Sequence, residues 1–161
     1  MTLRGLAEGT IVYMAEGSIV TPTSIEKLAQ TGDQPMILSY DAKKERIVKV
    51  TAQFPRMLSS ETDVVEVLLF NMHKLRCTPN HKVLTTVGPI EARDLRAGDK
   101  LVSLSAGAGI PGQFMFTANR TNRVAVAGDP VPAGKARVFD ITTTTGNFVC
   151  EGIVVCGKDA K

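Results

Sequence analysis

A hydroxyl and an imidazole stand close together in the segment Cys77-Thr78-Pro79-Asn80-His81. Thr-Pro-Asn is typical of a tight turn between two strands, because Pro fixes φ and Asn tolerates unusual backbone angles. An imidazole can give or take a proton near neutral pH, and a hydroxyl can hydrogen-bond to the same reacting group. The pair could serve acid catalysis at a nearby peptide bond. His81 could equally be a hydrogen-bonded turn residue, and the sequence leaves both interpretations open.

The chain has three cysteines, Cys77, Cys150 and Cys156. An odd number without a regular spacing argues against a secreted disulfide framework. Cys77 and Cys150 are interpreted as small core residues, which cysteines of this kind are more often than ligands. Cys156 could become a reactive thiolate if an imidazole such as that of His81 approached it. The simpler interpretation, which we favour, is that its side chain only fills space.

A metal site is the other chemistry that these residues suggest. His73, Cys77 and His81 follow one another at intervals of four residues. That spacing aligns ligands on a helix, but this segment has the pattern of strand, turn and strand, so the three side chains do not share a face. We therefore expect no zinc site, and nothing in the sequence calls for a cofactor.

Composition restricts the partners. The 161 residues include 19 Lys and Arg against 16 Asp and Glu, a formal net charge of +3. The densest basic cluster, Lys43-Lys44-Arg46, is interrupted by Glu45, which favours a solvated turn over a nucleic-acid surface. No apolar run approaches the roughly 20 residues that a membrane helix needs. A signal-peptide core is also missing, so we expect a cytoplasmic or virion-incorporated protein with neither nucleic acid nor membrane as partner.

Short β-prone runs separated by turn residues dominate the sequence. Residues 47–54 alternate apolar Val48 and Val50 with polar Lys49 and Thr51, the pattern of a half-buried strand. Further strands are predicted at 10–13, 36–40, 64–70, 74–77, 82–85, 100–103, 137–142 and 147–155. Many short strands with little helix predict an all-β sandwich or barrel-like fold.

Helical signal is confined to two short stretches that resemble each other. Thr23-Ser24-Ile25-Glu26 fits a capping box, and Gly32-Asp33 ends the stretch. A similar stretch begins near Glu91 and ends at Gly98-Asp99, which suggests two related halves. Between 105 and 136, Gly and Pro clusters predict a loop or hairpin excursion from the core. We therefore expect a single domain over residues 1–161.

Three segments in this order resemble the Hint family, the fold of inteins and of the Hedgehog autoprocessing region. Residues 5–12 resemble the opening motif of that family, residues 77–85 its Thr-x-x-His motif, and residues 138–155 its closing pair of strands. The match spans almost the whole chain, and the ordered set is far more specific than any one motif. The resemblance implies a flattened horseshoe of antiparallel strands with pseudo-twofold halves and neighbouring termini.

The resemblance also assigns roles to individual positions. Thr78, His81 and Asp140 match the hydroxyl, the imidazole and the carboxylate that assist peptide-bond rearrangement in the family. Gly5 stands where the family has a Cys or Ser nucleophile. Cys156 stands at the place of the penultimate His and Gly157 at that of the terminal Asn. We expect a vestigial site in which Thr78, His81 and Asp140 cluster near Gly5 and Cys156.

Two functions are compatible with this pattern. The first is a degenerate Hint domain, not an enzyme, that is kept as a structural or protein-binding module, for instance in a phage or mobile-element assembly. The few residues outside positions 5–157 lead us to expect no payload to splice. The second is an autoprocessing intein-like domain, inactive here through its altered junction residues or using unusual ones. An unrelated β-barrel binding protein is a weaker third possibility.

Overall fold

A computed structural model describes residues 3–104, 114–115 and 121–157 of the chain. Strands make up most of this part, and the predicted all-β fold class is confirmed. In chain order they are β1 (Leu6–Ala7), β2 (Ile11–Glu16), β3 (Ile19–Ser24), β4 (Met36–Asp41), β5 (Arg46–Thr51), β6 (Gln53–Leu68), β7 (Lys74–Cys77), β8 (Lys82–Thr85), β9 (Gly88–Glu91), β10 (Lys100–Leu104), β11 (Phe114–Met115), β12 (Thr121–Ala125), β13 (Val131–Thr142), β14 (Asn147–Cys150) and β15 (Ile153–Cys156).

A small closed barrel holds the beginning of the chain. It consists of β1, β13, β6 and β7, each antiparallel to its neighbours. The short strand β1 lies between β13 and β7, because Leu6 pairs with both Phe139 and Cys77. This register places the residue before Leu6 beside the end of β7 and beside β13.

A larger antiparallel sheet holds the end of the chain. The hairpin β14–β15 lies near its middle, with β2 on one side and β10 and β8 on the other. Val155 pairs with Val83 and Cys156 with Lys82. The last strand is therefore hydrogen-bonded to the strand that follows the Thr78–His81 turn.

Both faces of the central strands are covered. Val155 belongs to the main core, which includes Leu6 and Phe139, while its neighbour Val154 belongs to a second apolar cluster. Every residue of β15 is buried. This explains why β15 has a continuous apolar run and not the alternation of a half-buried strand.

The helix α1 (Ile25–Thr31) begins differently from the prediction. Its N-cap is Ser24, which makes no side-chain cap hydrogen bond, so the predicted capping box is wrong. Glu26 instead accepts a hydrogen bond from the backbone N–H of Gly9 at 2.7 Å. A tertiary partner has taken the carboxylate that the local pattern assigned to the helix. No helix in the described part of the chain is long and apolar enough to cross a membrane.

The second predicted turn and the excursion have partial counterparts. Ala92–Asp94 forms a short 3₁₀ helix within the predicted stretch. In the region 105–136, β12 pairs with β10, and the first half of β13 pairs with β6 across register shifts near Gly134, whose φ is 78°. A glycine with positive φ is typical of a β-bulge. Residues 105–113 and 116–120 lie outside the described residues, and the excursion stays a prediction.

Candidate functional site

Gly5 and Thr78 are joined by two hydrogen bonds. The Gly5 N–H donates to Thr78 Oγ1 at 3.1 Å, and the Thr78 N–H donates to the Gly5 carbonyl at 2.9 Å. Both residues are buried. The backbone of Gly5 is therefore held in place by both the side chain and the main chain of Thr78, the first residue of the Thr78–His81 turn.

The turn that carries His81 is fixed by main-chain bonds. The His81 N–H donates to the Thr78 carbonyl at 3.0 Å, and the His81 carbonyl accepts from Ala92 at 2.8 Å. Pro79 accepts a further bond from Arg93 at 2.9 Å. The 3₁₀ helix that follows β9 thus stabilises the turn through these two hydrogen bonds.

The imidazole of His81 is fully buried. Neither ring nitrogen has a hydrogen-bond partner among the described residues. Burial, and to a lesser extent the positive charge of Arg4, lower the pKa of His81 from 6.5 to about 4. The ring is therefore neutral at physiological pH, and a neutral imidazole is a much weaker acid toward a leaving amide nitrogen than an imidazolium.

Asp140 lies on β13 directly opposite Arg56 of β6. Its side chain is almost fully buried, and one carboxylate oxygen accepts the N–H of Ile141 at 2.8 Å. The other oxygen lies 3.7 Å from the Arg56 guanidinium, which also donates to Phe54 and Thr142. The carboxylate thus faces a positive charge. Nothing in the sequence pattern indicated this contact, because Arg56 lies in residues 55–63, where no strand was predicted and where the structure has the middle of β6.

Cys156 lies beside the strand that follows the turn, but its side chain is on the face of β15 opposite the main core, the face that holds Val154 of the second apolar cluster. It pairs with Lys82, while the preceding residue Val155 packs in the main core, so the thiol lies on the opposite face of the sheet. Burial raises the pKa of the Cys156 thiol to about 11, although the charge of Lys82 acts in the other direction. The thiol is protonated at neutral pH, and its role in the site stays a prediction.

The ends of the described chain reach the same strand. A Cβ built on Gly5 would lie 3.0 Å from the Phe139 carbonyl oxygen and 3.1 Å from the Val138 Cβ. A Cβ on Gly157 would lie 3.5 Å from the Ile141 carbonyl oxygen. The register extends from the Leu6–Phe139 pair toward Asp140, so the geometry brings Gly5, Thr78 and Asp140 to one part of the barrel, with Gly157 beside it.

A cavity of about 390 Å³ opens beside Thr78. Its wall is mostly apolar and is formed by Leu3, Thr62, Asp63, Pro79, Asn80 and Arg93. Asn80 is itself buried, and its carboxamide oxygen has no hydrogen-bond partner among the residues that the structure describes. A buried, unpaired acceptor is costly, and this oxygen is enclosed by the protein and is not on the surface of the cavity.

His73 and Cys77, which the spacing suggested as zinc ligands together with His81, have separate surroundings. His73 Nδ1 lies 2.9 Å from Glu151 Oε1, whereas Cys77 is enclosed in the apolar core, where burial raises the pKa of its thiol to about 12. Glu151 is also bound by the N–H of Ile11 at 2.8 Å. His73 thus joins the turn between β6 and β7 to the turn between β14 and β15.

No protein-family model and no curated protein matches the sequence. Solved structures with the same fold do match the chain. A DnaB intein from Synechocystis sp. superimposes with a TM-score of 0.79 at 15% identity, over 97% of this chain and 99% of the other. The DnaX mini intein from Spirulina platensis gives 0.72 at 21%, over 95% and 99%. A bacterial intein-like domain from Clostridium thermocellum gives 0.72 at 15%, over 97% and 100%. The chain has the intein-like, all-β Hint fold.

Proposed function

We propose that this chain, whose fold is that of the inteins, is a degenerate Hint domain that neither splices nor cleaves itself. It serves as a structural or protein-binding module, in a setting such as a phage or mobile-element assembly. Its partner is a protein, and its place is the cytoplasm or a virion. The all-β core is intact, while the groups that would break and form peptide bonds are missing or disabled.

The packing around Gly5 carries this proposal. Formation of an ester or thioester at the Arg4–Gly5 peptide needs an oxygen or sulfur on the side chain of residue 5, and Gly5 has neither. A side chain there would be crowded, because its Cβ would lie 3.0 Å from the Phe139 carbonyl oxygen and 3.1 Å from the Val138 Cβ. The loss of the nucleophile is thus matched by the packing of its surroundings.

The acid of the site supports the same proposal. Protonation of the leaving nitrogen needs an imidazolium, but His81 is neutral above about pH 4. A general acid is most effective when its pKa lies near the working pH. Burial has moved the His81 pKa away from that range, so the remaining imidazole contributes little to cleavage at neutral pH.

The C-terminal side lacks its own reaction. Gly157 has no carboxamide that could cyclise and release the following chain. The thiol of Cys156 is buried and protonated at neutral pH, which leaves it a poor nucleophile. Both junctions are therefore without the groups that would act on them.

One observation favours autoprocessing as the second candidate function. The Thr78 hydroxyl still accepts the Gly5 N–H at 3.1 Å, so a hydroxyl remains on the amide that the reaction would break. Once water had added to the Arg4 carbonyl, this hydroxyl could donate its own proton to the Gly5 nitrogen as that nitrogen leaves. General acid–base assistance alone accelerates a reaction only about 10²–10⁴-fold. Amide hydrolysis accelerated by that factor is still too slow to matter.

Intact-mass spectrometry separates the two functions. Residues 1–161 would be placed between two stable reporter proteins and incubated for days, with and without an added thiol. We expect a single species of unchanged mass. Cleavage at Arg4–Gly5 or beside Cys156, lost when His81 is changed to Ala and retained in the matched His73→Ala variant, would refute the degenerate reading and establish an enzyme.

A further inference from the structure

We draw no further inference here: the strongest candidate, the cleft of about 630 Å³ between the turn that joins β4 to β5 and the strands β8, β10 and β12, carries nothing because its lining sets one cation, Arg123, against one anion, Glu45, and nothing in the structure shows what covers or fills it.

Discussion

The two junction positions of the chain, Gly5 and Gly157, differ in the space around them. A side chain on Gly5 would press against the Phe139 carbonyl at 3.0 Å, whereas one on Gly157 would meet its nearest neighbours at 3.5 and 3.6 Å, an ordinary contact distance. The N-terminal junction is closed and the C-terminal one is open. The two positions are thus unlike: a Cβ at Gly157 fits as the chain stands, whereas a Cβ at Gly5 requires its neighbours to shift by a few tenths of an ångström.

Protonation of His81, next to the closed junction, should have the largest effect on stability. Its pKa is about 4 in the folded chain against 6.5 for a free imidazole, so protons bind the unfolded chain more tightly. The stability present above about pH 6.5 is therefore lost as the pH falls toward 4. Between pH 7 and 4.5 this amounts to about 2–3 kcal/mol, which urea unfolding at the two pH values would measure.

A His81→Gln variant is the control for that experiment. It should be less stable at pH 7 and should lose about 2 kcal/mol less on acidification than the wild type does. His73→Gln removes a histidine that is only partly buried and should keep most of the wild-type loss. Equal pH dependence in the wild type and His81→Gln would mean that His81 is not buried in the neutral form.

Gly5→Cys tests the closed junction directly. The new side chain overpacks a space bounded by the backbone of Phe139, and overpacking costs typically about 1–3 kcal/mol. We expect a lower urea midpoint and no thioester. Trapping with a small thiol followed by mass spectrometry measures the second point, and a cleaved product at wild-type stability would show that the junction can reopen without cost.

Thr78→Val removes the hydroxyl that accepts the Gly5 N–H while keeping the shape of the side chain. The Gly5 N–H then has no acceptor in a buried place, which costs about 1–2 kcal/mol. Urea unfolding measures the loss, and Thr78→Ser, which keeps the hydroxyl, should recover part of it. If Val is as stable as Thr, the hydrogen bond does not hold the first strand in place.

The smallest effect belongs to the open junction. Gly157→Ala should change the free energy of unfolding by no more than about 0.5 kcal/mol, because the methyl group meets nothing closer than 3.5 Å. The Gly157 N–H still donates to the Gly146 carbonyl in this variant. A loss as large as that of Gly5→Cys would remove the difference between the two junctions.

Much of the fold was visible in the sequence because local patterns decide it. Alternating residues in 47–54 predicted one strand, where the structure has β5 to Thr51 and the start of β6 at Gln53, and Gly32 ends the first helix in the left-handed conformation with a φ of 73°. The absence of a nucleophile at Gly5 is a fact of residue type and needs no coordinates. Such features depend on a residue and its near neighbours in the chain.

Other features depended on contacts between distant parts of the chain. Glu26 looked like half of a capping box, but Gly9 lies closer in space and takes its carboxylate. The Arg56–Asp140 pair joins residues on two strands whose register no local pattern specifies. The depth at which His81 is buried, and hence its neutral state, was equally invisible before the strands were assembled.

The sequence by itself therefore determined an all-β chain with a Thr-x-x-His turn and two glycines at the junctions. Only the tertiary structure decided that an added side chain is crowded at Gly5 and not at Gly157, and that His81 is buried with no hydrogen-bond partner for its ring among the described residues. The physical reason is that residue type sets which chemistry is possible. Packing sets the free volume and the solvation of each group, and these arise from residues far apart in the chain.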